Sequence, residues 1–280
     1  MATTGIVTDS TASLPQAAID YWGIRVVPVS VVVHETSYEE GVEINAEQVA
    51  EAMRRKLPVT TSRPAPFKFE RVYQQLAEQG YTSIVSAHLS AELSGTYDSA
   101  RVAAKRAGIE VIPVDSRSIS MGLGYGCLEG ARAAANGLGA AEVAEVVTAA
   151  AARSRVLFYV NSLEYLRRGG RIGAAQRWIG GALAVKPILQ LARGRVQPLE
   201  KVRTASKGMA RLAELAVDYA EDRPCTISVM HLDATERAET LAAELATALP
   251  EANVNIGELG AVIGCHVGPG TLAAIVSPAE

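Results

Sequence analysis

The sequence is poor in the features that announce most catalytic chemistry. Its three cysteines, Cys127, Cys225 and Cys265, lie far apart and form no C-x-x-C pair. They leave no zinc or redox framework and read as small buried hydrophobes in a reducing compartment. The histidines His34, His88, His231 and His266 are scattered without H-E-x-x-H spacing, so no metal site is expected. No Gly-Lys pair occurs anywhere, and a P-loop cannot close its phosphate cradle without one. The nucleophile elbow G-x-S-x-G is also missing, since Ser94 has Glu92 and Thr96 where the glycines belong. Gly268-Pro-Gly270-Thr-Leu-Ala273 fits the loose dinucleotide fingerprint. It lies too near the C-terminus for an acidic ribose ligand about 20 residues downstream.

Other scarcities narrow the class. Aromatic residues are only 5% of the chain, so the core is aliphatic. A net charge of -3 gives no broad basic face to displace counterions from phosphates, and no nucleic-acid partner is expected. The longest apolar stretch, Val26 to Val33, is interrupted by Pro28 and Ser30 and falls far short of the ~20 residues that span a bilayer. Met-Ala-Thr-Thr-Gly at the N-terminus runs straight into a strand pattern, with no basic and then apolar leader. A soluble, cytoplasmic protein is the expectation.

What is present is an ordinary globular composition, 49% hydrophobic and 20% charged over 280 residues, for which two domains is the better expectation. The first half alternates short β-branched runs (Gly5 to Thr8, Arg25 to Val33, Ser83 to Ser86, Val111 to Val114) with helical patterns. That grammar predicts a mostly parallel, Rossmann-like sheet. Asn45 followed by Gln48 has the form of a capping box, and Pro66 and Ser94 are helix openings. Leu57 to Pro66 reads as a proline-bracketed loop, and Ala140 to Arg153 as an Ala-rich helix.

After a strand at Val156 to Val160 the pattern changes. Gly169, Gly170, Gly173, Gly180 and Gly181 break it up, and Lys186 to Leu191 with Arg195 to Lys201 reads as a hairpin. Further helices at Ser206 to Glu221 and Thr235 to Leu249 flank a strand at Thr226 to Met230, and two terminal strands follow. The reading is therefore an N-terminal α/β domain over residues 1–160 and a smaller C-terminal α+β domain over 161–280.

The remaining chemical signal is hydroxyls and backbone N–H donors in loops where strands end, the place where open α/β sheets bind ligands. Thr61 and Ser62 sit in the proline-bracketed loop, and Ser94-Gly95-Thr96 opens a helix. A helix start offers free N–H groups and positive potential, and a glycine allows close approach, so an anion suits this place.

Several longer motifs resemble one family. Leu89-Ser-Ala-Glu-Leu-Ser94-Gly95-Thr96-Tyr97 is similar to L-S-x-x-L-S-G-T-Y of the DegV family, and Thr61-Ser62-Arg63-Pro64 to its T-S-Q-P loop. Leu163-Glu-Tyr-Leu-Arg167-Arg168-Gly169-Gly170-Arg171-Ile172 resembles L-E-x-L-x-x-G-G-R-I. Thr8-Asp9-Ser10 and Gly260 to Gly270 match the opening and closing motifs, with Lys186 to Leu189 and Glu200 to Thr204 between them in the same order. The likeness runs from residue 5 to residue 276. Two departures stand out. Arg63 replaces the usual Gln, adding charge to its loop, and Ala87-His88 precedes the L-S segment where a small residue is common.

The resemblance implies a carrier rather than an enzyme, with a long-chain fatty acid held between two α/β domains, its tail buried. Thr61, Ser62, Ser94, Gly95 and His266 would bind the carboxylate, with no catalytic residue, metal or cofactor. Arg167, Arg168, Arg171 and Arg203 would serve the head group or dock a separate fatty acid kinase that makes the acyl phosphate. Transient contact with a membrane surface is compatible with this role. The alternatives are an acyl hydrolase or transferase using Ser94 and His266, and a lipid-dependent regulatory scaffold.

Overall fold

A computed structural model describes residues 3–179, 186–221 and 223–279; Gly180 and Gly181 lie outside the described residues. From the N-terminus the order is β1 (Thr4–Asp9), α1 (Gln16–Trp22), β2 (Arg25–Val27), β3 (Ser30–Val33), β4 (Thr36–Glu39), α2 (Ala46–Arg54) and β5 (Val59–Ser62). It continues with α3 (Pro66–Glu78), β6 (Ser83–His88), α4 (Thr96–Ala104), β7 (Glu110–Asp115), α5 (Met121–Ala135), α6 (Ala140–Arg153) and β8 (Arg155–Tyr159). The remainder is α7 (Glu164–Arg168), β9 (Lys186–Ala192), β10 (Arg195–Val202), α8 (Ala205–Ala220), β11 (Cys225–Leu232), α9 (Thr235–Ala248), β12 (Asn253–Glu258), α10 (Ala261–Val267) and β13 (Thr271–Pro278).

The chain divides into two compact units, Met1–Ser30 with Ser62–Arg153, and Val31–Thr61 with Ser154–Glu280. A single cut near 160 does not describe this division. Residues 31–61 join the C-terminal part, and with them the second unit is the larger one.

The first unit is a four-stranded sheet in the order β2-β1-β6-β7, every pair parallel. β1 and β6 are buried along their whole length, as expected when helices cover both faces of a parallel sheet. Alternation splits the core. Ile6 and Val85 pack with Leu123 and Cys127 of α5 and Val143 and Val147 of α6. Val7 and Ile84 face the other way, against Phe69, Tyr73 and Leu76 of α3 and Ala100 of α4.

Sequence pattern misses α5, because Gly122, Gly124, Gly126 and Gly130 interrupt its helical signal. Close packing explains two of them: a Cβ at Gly126 would stand 2.9 Å from the Val147 carbonyl oxygen, and one at Gly130 would strike the Val147 side chain. The run Arg25 to Val33 is also not one strand. Pro28 has no N–H for a ladder, so β2 pairs with β1 while β3 belongs to a three-stranded sheet in the order β4-β3-β5.

The second unit carries a mixed sheet in the order β10-β9-β8-β13-β11-β12, in which only β11 and β12 run parallel. Leu157, Tyr159, Ile227, Val229 and Leu272 form its core with Leu212 of α8 and Leu241 and Leu245 of α9. β9 and β10 form the expected hairpin, turning through Arg193 and Gly194 at φ 53° and 77°, the positive pair that a tight hairpin turn requires. The capping box is present: Asn45 Oδ1 accepts from Gln48 N, and Gln48 Oε1 from Asn45 N, both at 2.9 Å. Residues 57–66 are not all loop, since Val59–Ser62 is β5. The β-branched Val59, Thr60 and Thr61 favour that conformation. The three cysteines are free and buried, and burial pushes the Cys127 and Cys265 thiols up to about 12. Among the described residues no helix is long and apolar enough to cross a membrane.

Candidate functional site

In the second unit two motifs far apart in sequence meet, because α10 packs against both α7 and α2. α10 begins after Gly260, with the Val262 N–H donating to Glu40 Oε1 at 2.8 Å, and ends at Gly268, φ 79°. His266 lies in its last turn, with Nε2 2.9 Å from Thr61 Oγ1 at the end of β5. The ring packs on the turn after α7: a Cβ at Gly169 would collide with His266 Nδ1. Arg171 fastens that turn by donating from Nη1 to the Gly169 carbonyl at 2.6 Å. Burial, and then the nearby Arg171 cation, hold the His266 pKa down at about 4. The imidazole is therefore neutral near pH 7, and its Nδ1 has no hydrogen-bond partner among the described residues.

The arginines separate into different situations. Arg167 and Arg168 both grip Glu164, at 2.7–2.8 Å, and the two guanidinium groups, Arg167 first, pull the Glu164 carboxyl down to about 2. Arg203 is exposed just after β10 and forms no ion pair among the described residues. No contact joins it to the Thr61–His266 pair.

In the first unit the segment after β6 turns back on itself, with Leu93 N and Ser94 N donating to the Ser90 carbonyl at 2.9 and 3.2 Å. The Ser94 hydroxyl lies 2.9 Å from Thr96 Oγ1 and accepts from Thr96 N at 3.3 Å, so Ser94 caps α4 from one residue before Gly95. Ser62 and Arg63 are exposed. The Arg63 guanidinium lies against Gly95, where an added Cβ would collide with it. Ser94, Gly95, Thr96 and Arg63 therefore form one cluster, and Thr61, His266, Gly169 and Arg171 another. Thr61 and Ser62 are consecutive residues, the last of one chain segment and the first of the next.

Sequence reasoning passed over a buried polar chain beneath the first cluster. Tyr73 donates to Ser86 Oγ at 2.8 Å, Ser86 Oγ is 2.8 Å from His88 Nε2, and His88 Nδ1 is 3.0 Å from Asp9 Oδ2. Asp9 also accepts from Leu89 N at 3.1 Å and from the Thr11 N–H and hydroxyl at 3.1 and 2.5 Å. The available signal was Ser86 and His88 two apart on one strand face, beside Asp9 at the end of a parallel neighbour.

Comparison with known proteins places the chain in a family. The family model described as uncharacterised protein, DegV family, matches residues 3–279. A DegV domain-containing protein of Streptomyces coelicolor is 52% identical over 276 residues, 97% of each chain. Among solved structures, a DegV family protein from Thermus thermophilus, described by its fatty acid binding, superimposes with a TM-score of 0.93 at 33% identity, covering 99% of this chain and 100% of that one. DegV of Bacillus subtilis, described as a fatty acid binding protein, does so with a TM-score of 0.92 at 31% identity over 100% of both chains. With the parallel sheet, the separate mixed sheet and the ordered motifs, these matches show that the chain belongs to the DegV family.

Proposed function

We propose that this protein binds one long-chain fatty acid, buries the tail, and holds the carboxylate with hydroxyl and N–H donors from Thr61, Ser62, Ser94 and Gly95, with His266 supporting the network through Thr61. The observation that carries the reading is the Thr61–His266 pair, a hydroxyl and a buried neutral imidazole 2.9 Å apart. With Nε2–H donating to Thr61 Oγ1, the Thr61 proton is left for an anion. Likeness to relatives described as fatty acid binding over the whole chain supports the choice of ligand.

Energetics favour such a donor set. Burying about fourteen methylenes is worth on the order of 11 kcal/mol, while association takes back roughly 4–15 kcal/mol. Little remains for desolvating an unpaired carboxylate, so hydrogen bonds of about 1.5–3 kcal/mol each must replace its water.

The carrier presents the carboxylate to a separate kinase. Making an acyl phosphate needs a nucleotide and a phosphate cradle, and this sequence has no Gly-Lys pair to build a P-loop. Mass spectrometry of an organic extract from the native protein tests the binding step. One acyl lipid per chain is expected; an extract without lipid, and no uptake of added oleate, would overturn it. Incubation with a bacterial fatty acid kinase and ATP tests the second step, which fails if protein-bound oleate is never phosphorylated.

A further inference from the structure

The chain Asp9–His88–Ser86–Tyr73 is sealed from solvent, with Asp9, Ser86 and His88 at 0% exposure and Tyr73 at 1%. Its first three members have the order of contacts found in a serine hydrolase relay. Ser86, however, is an interior residue of β6, and its oxygen already takes the Tyr73 proton. Burial raises the pKa of that phenol, which keeps it a donor. A carboxylate only accepts, so the proton between Asp9 and His88 sits on Nδ1, and Nε2 is left to accept from Ser86. Every group then has a defined direction. The imidazole edge also packs on Phe69, with ring centroids 5.0 Å apart.

These bonds converge on the start of the Ser94 segment. Asp9 Oδ2 accepts from both the His88 side chain and the next backbone N–H, that of Leu89. The His88 carbonyl accepts from the Ser116 hydroxyl at 2.7 Å and the Ser116 N–H at 3.1 Å, and Ser90 N donates to the Ser118 carbonyl at 2.8 Å. Ser90 in turn anchors Leu93 and Ser94. The ends of β1, β6 and β7 are thus tied together where the ligand-facing hydroxyls begin.

We propose that His88 is a positioning residue for the head-group site: through its Nδ1–H bond to Asp9 it fixes residues 89–96, and with them the Ser94 and Thr96 hydroxyls. The proposal rests on the fatty-acid reading above. It concerns only the Asp9 side of the ring. The Ser86 and Tyr73 side stabilises the core without aiming the loop.

Two side chains of similar character separate the sides. In His88→Asn the amide nitrogen replaces Nδ1 and keeps the Asp9 bond; in His88→Gln the amide reaches the Nε2 position, where its oxygen accepts from Ser86, and the Asp9 bond is lost. Titration with oleate should show the Asn variant within about threefold of the wild type and the Gln variant weaker by about tenfold or more. Adding Ser94→Ala to each should erase most of the difference, because the lost alignment acts through that hydroxyl. Equal affinities for the two variants, or a Gln penalty undiminished by Ser94→Ala, would overturn the proposal. Should thermal melting show either variant unfolded, Ser86→Ala decides instead: unchanged affinity with a lower melting temperature is expected, and a tenfold loss of affinity overturns the assignment. Wild-type protein that takes up no oleate would remove the fatty-acid reading itself, a result distinct from wild-type uptake with indistinguishable variants.

Discussion

His266 Nε2 stands 2.9 Å from Thr61 Oγ1, linking side chains 205 positions apart. Thr61→Val keeps the shape and removes the hydroxyl that would reach a carboxylate. Oleate affinity should fall by about 1–3 kcal/mol, and the melting temperature should drop as well because the His266 Nε2–H loses its partner, measured by calorimetric titration and thermal unfolding. Unaltered affinity would place the head group elsewhere.

The same histidine imposes a pH dependence on stability. Its folded pKa of about 4 lies below the ordinary histidine value of 6.5, so between these values the unfolded chain binds the extra proton. The stabilisation is fully present above 6.5 and is lost as pH falls through the window to 4, with a limit on the order of 3 kcal/mol. Urea unfolding from pH 7 to pH 4.5 should show this slope, and His266→Gln should flatten it.

Gly169 is the floor under the imidazole. Gly169→Ala sets a methyl group against Nδ1, and overpacking of this kind costs about 1–3 kcal/mol. Both stability and oleate affinity should drop, the latter because His266 cannot move without leaving Thr61. A variant that binds and melts like the wild type would show that the turn yields freely.

Arg63 lies against Gly95 and forms no ion pair among the described residues. Its charge near the Ser94 hydroxyl should attract a carboxylate, so Arg63→Gln is expected to weaken oleate binding about threefold to tenfold and to flatten its dependence on salt. Matching salt slopes in both proteins would assign Arg63 to the surface alone.

Docking is expected to depend on Arg203 more purely than on Arg171. Arg171 holds the Gly169 carbonyl, so Arg171→Ala should weaken lipid binding as well as kinase turnover. Arg203→Ala should slow phosphorylation of bound oleate and reduce its salt sensitivity with affinity intact, as rim charges do. Arg167 and Arg168, shared on Glu164, should matter less.

Much of this was legible locally. Asn45 and Gln48 announced their cap, Pro66 its helix, and the Arg193-Gly194 turn its hairpin, because each signal is complete within a few residues. What escaped is non-local. The glycines of α5 look like helix breakers until Val147 is seen against them, and Val59–Ser62 looks like loop until its neighbours in the three-stranded sheet are known. Motif reading pointed to Thr61, Ser94 and His266 as candidates, yet it could not show that His88 joins Asp9 across 79 positions. Buried polar partners carry no periodicity.

The Glu40 carboxylate that receives the Val262 N–H is separated from it by 222 positions. During synthesis at roughly 5–20 residues per second, Glu40 leaves the ribosome tens of seconds before the helix it caps exists. Residues 62–153 emerge in between and complete the first unit, adding β6 and β7 to the sheet that β1 and β2 begin. Residues 31–61, with their own three-stranded sheet, must therefore wait as a tethered arm until the chain beyond residue 153 is made, and the second unit closes only when the last strands arrive. A release from the ribosome that truncates α10 and β13 would strand this arm, leaving the face of α2 that packs on α10 open to other chains.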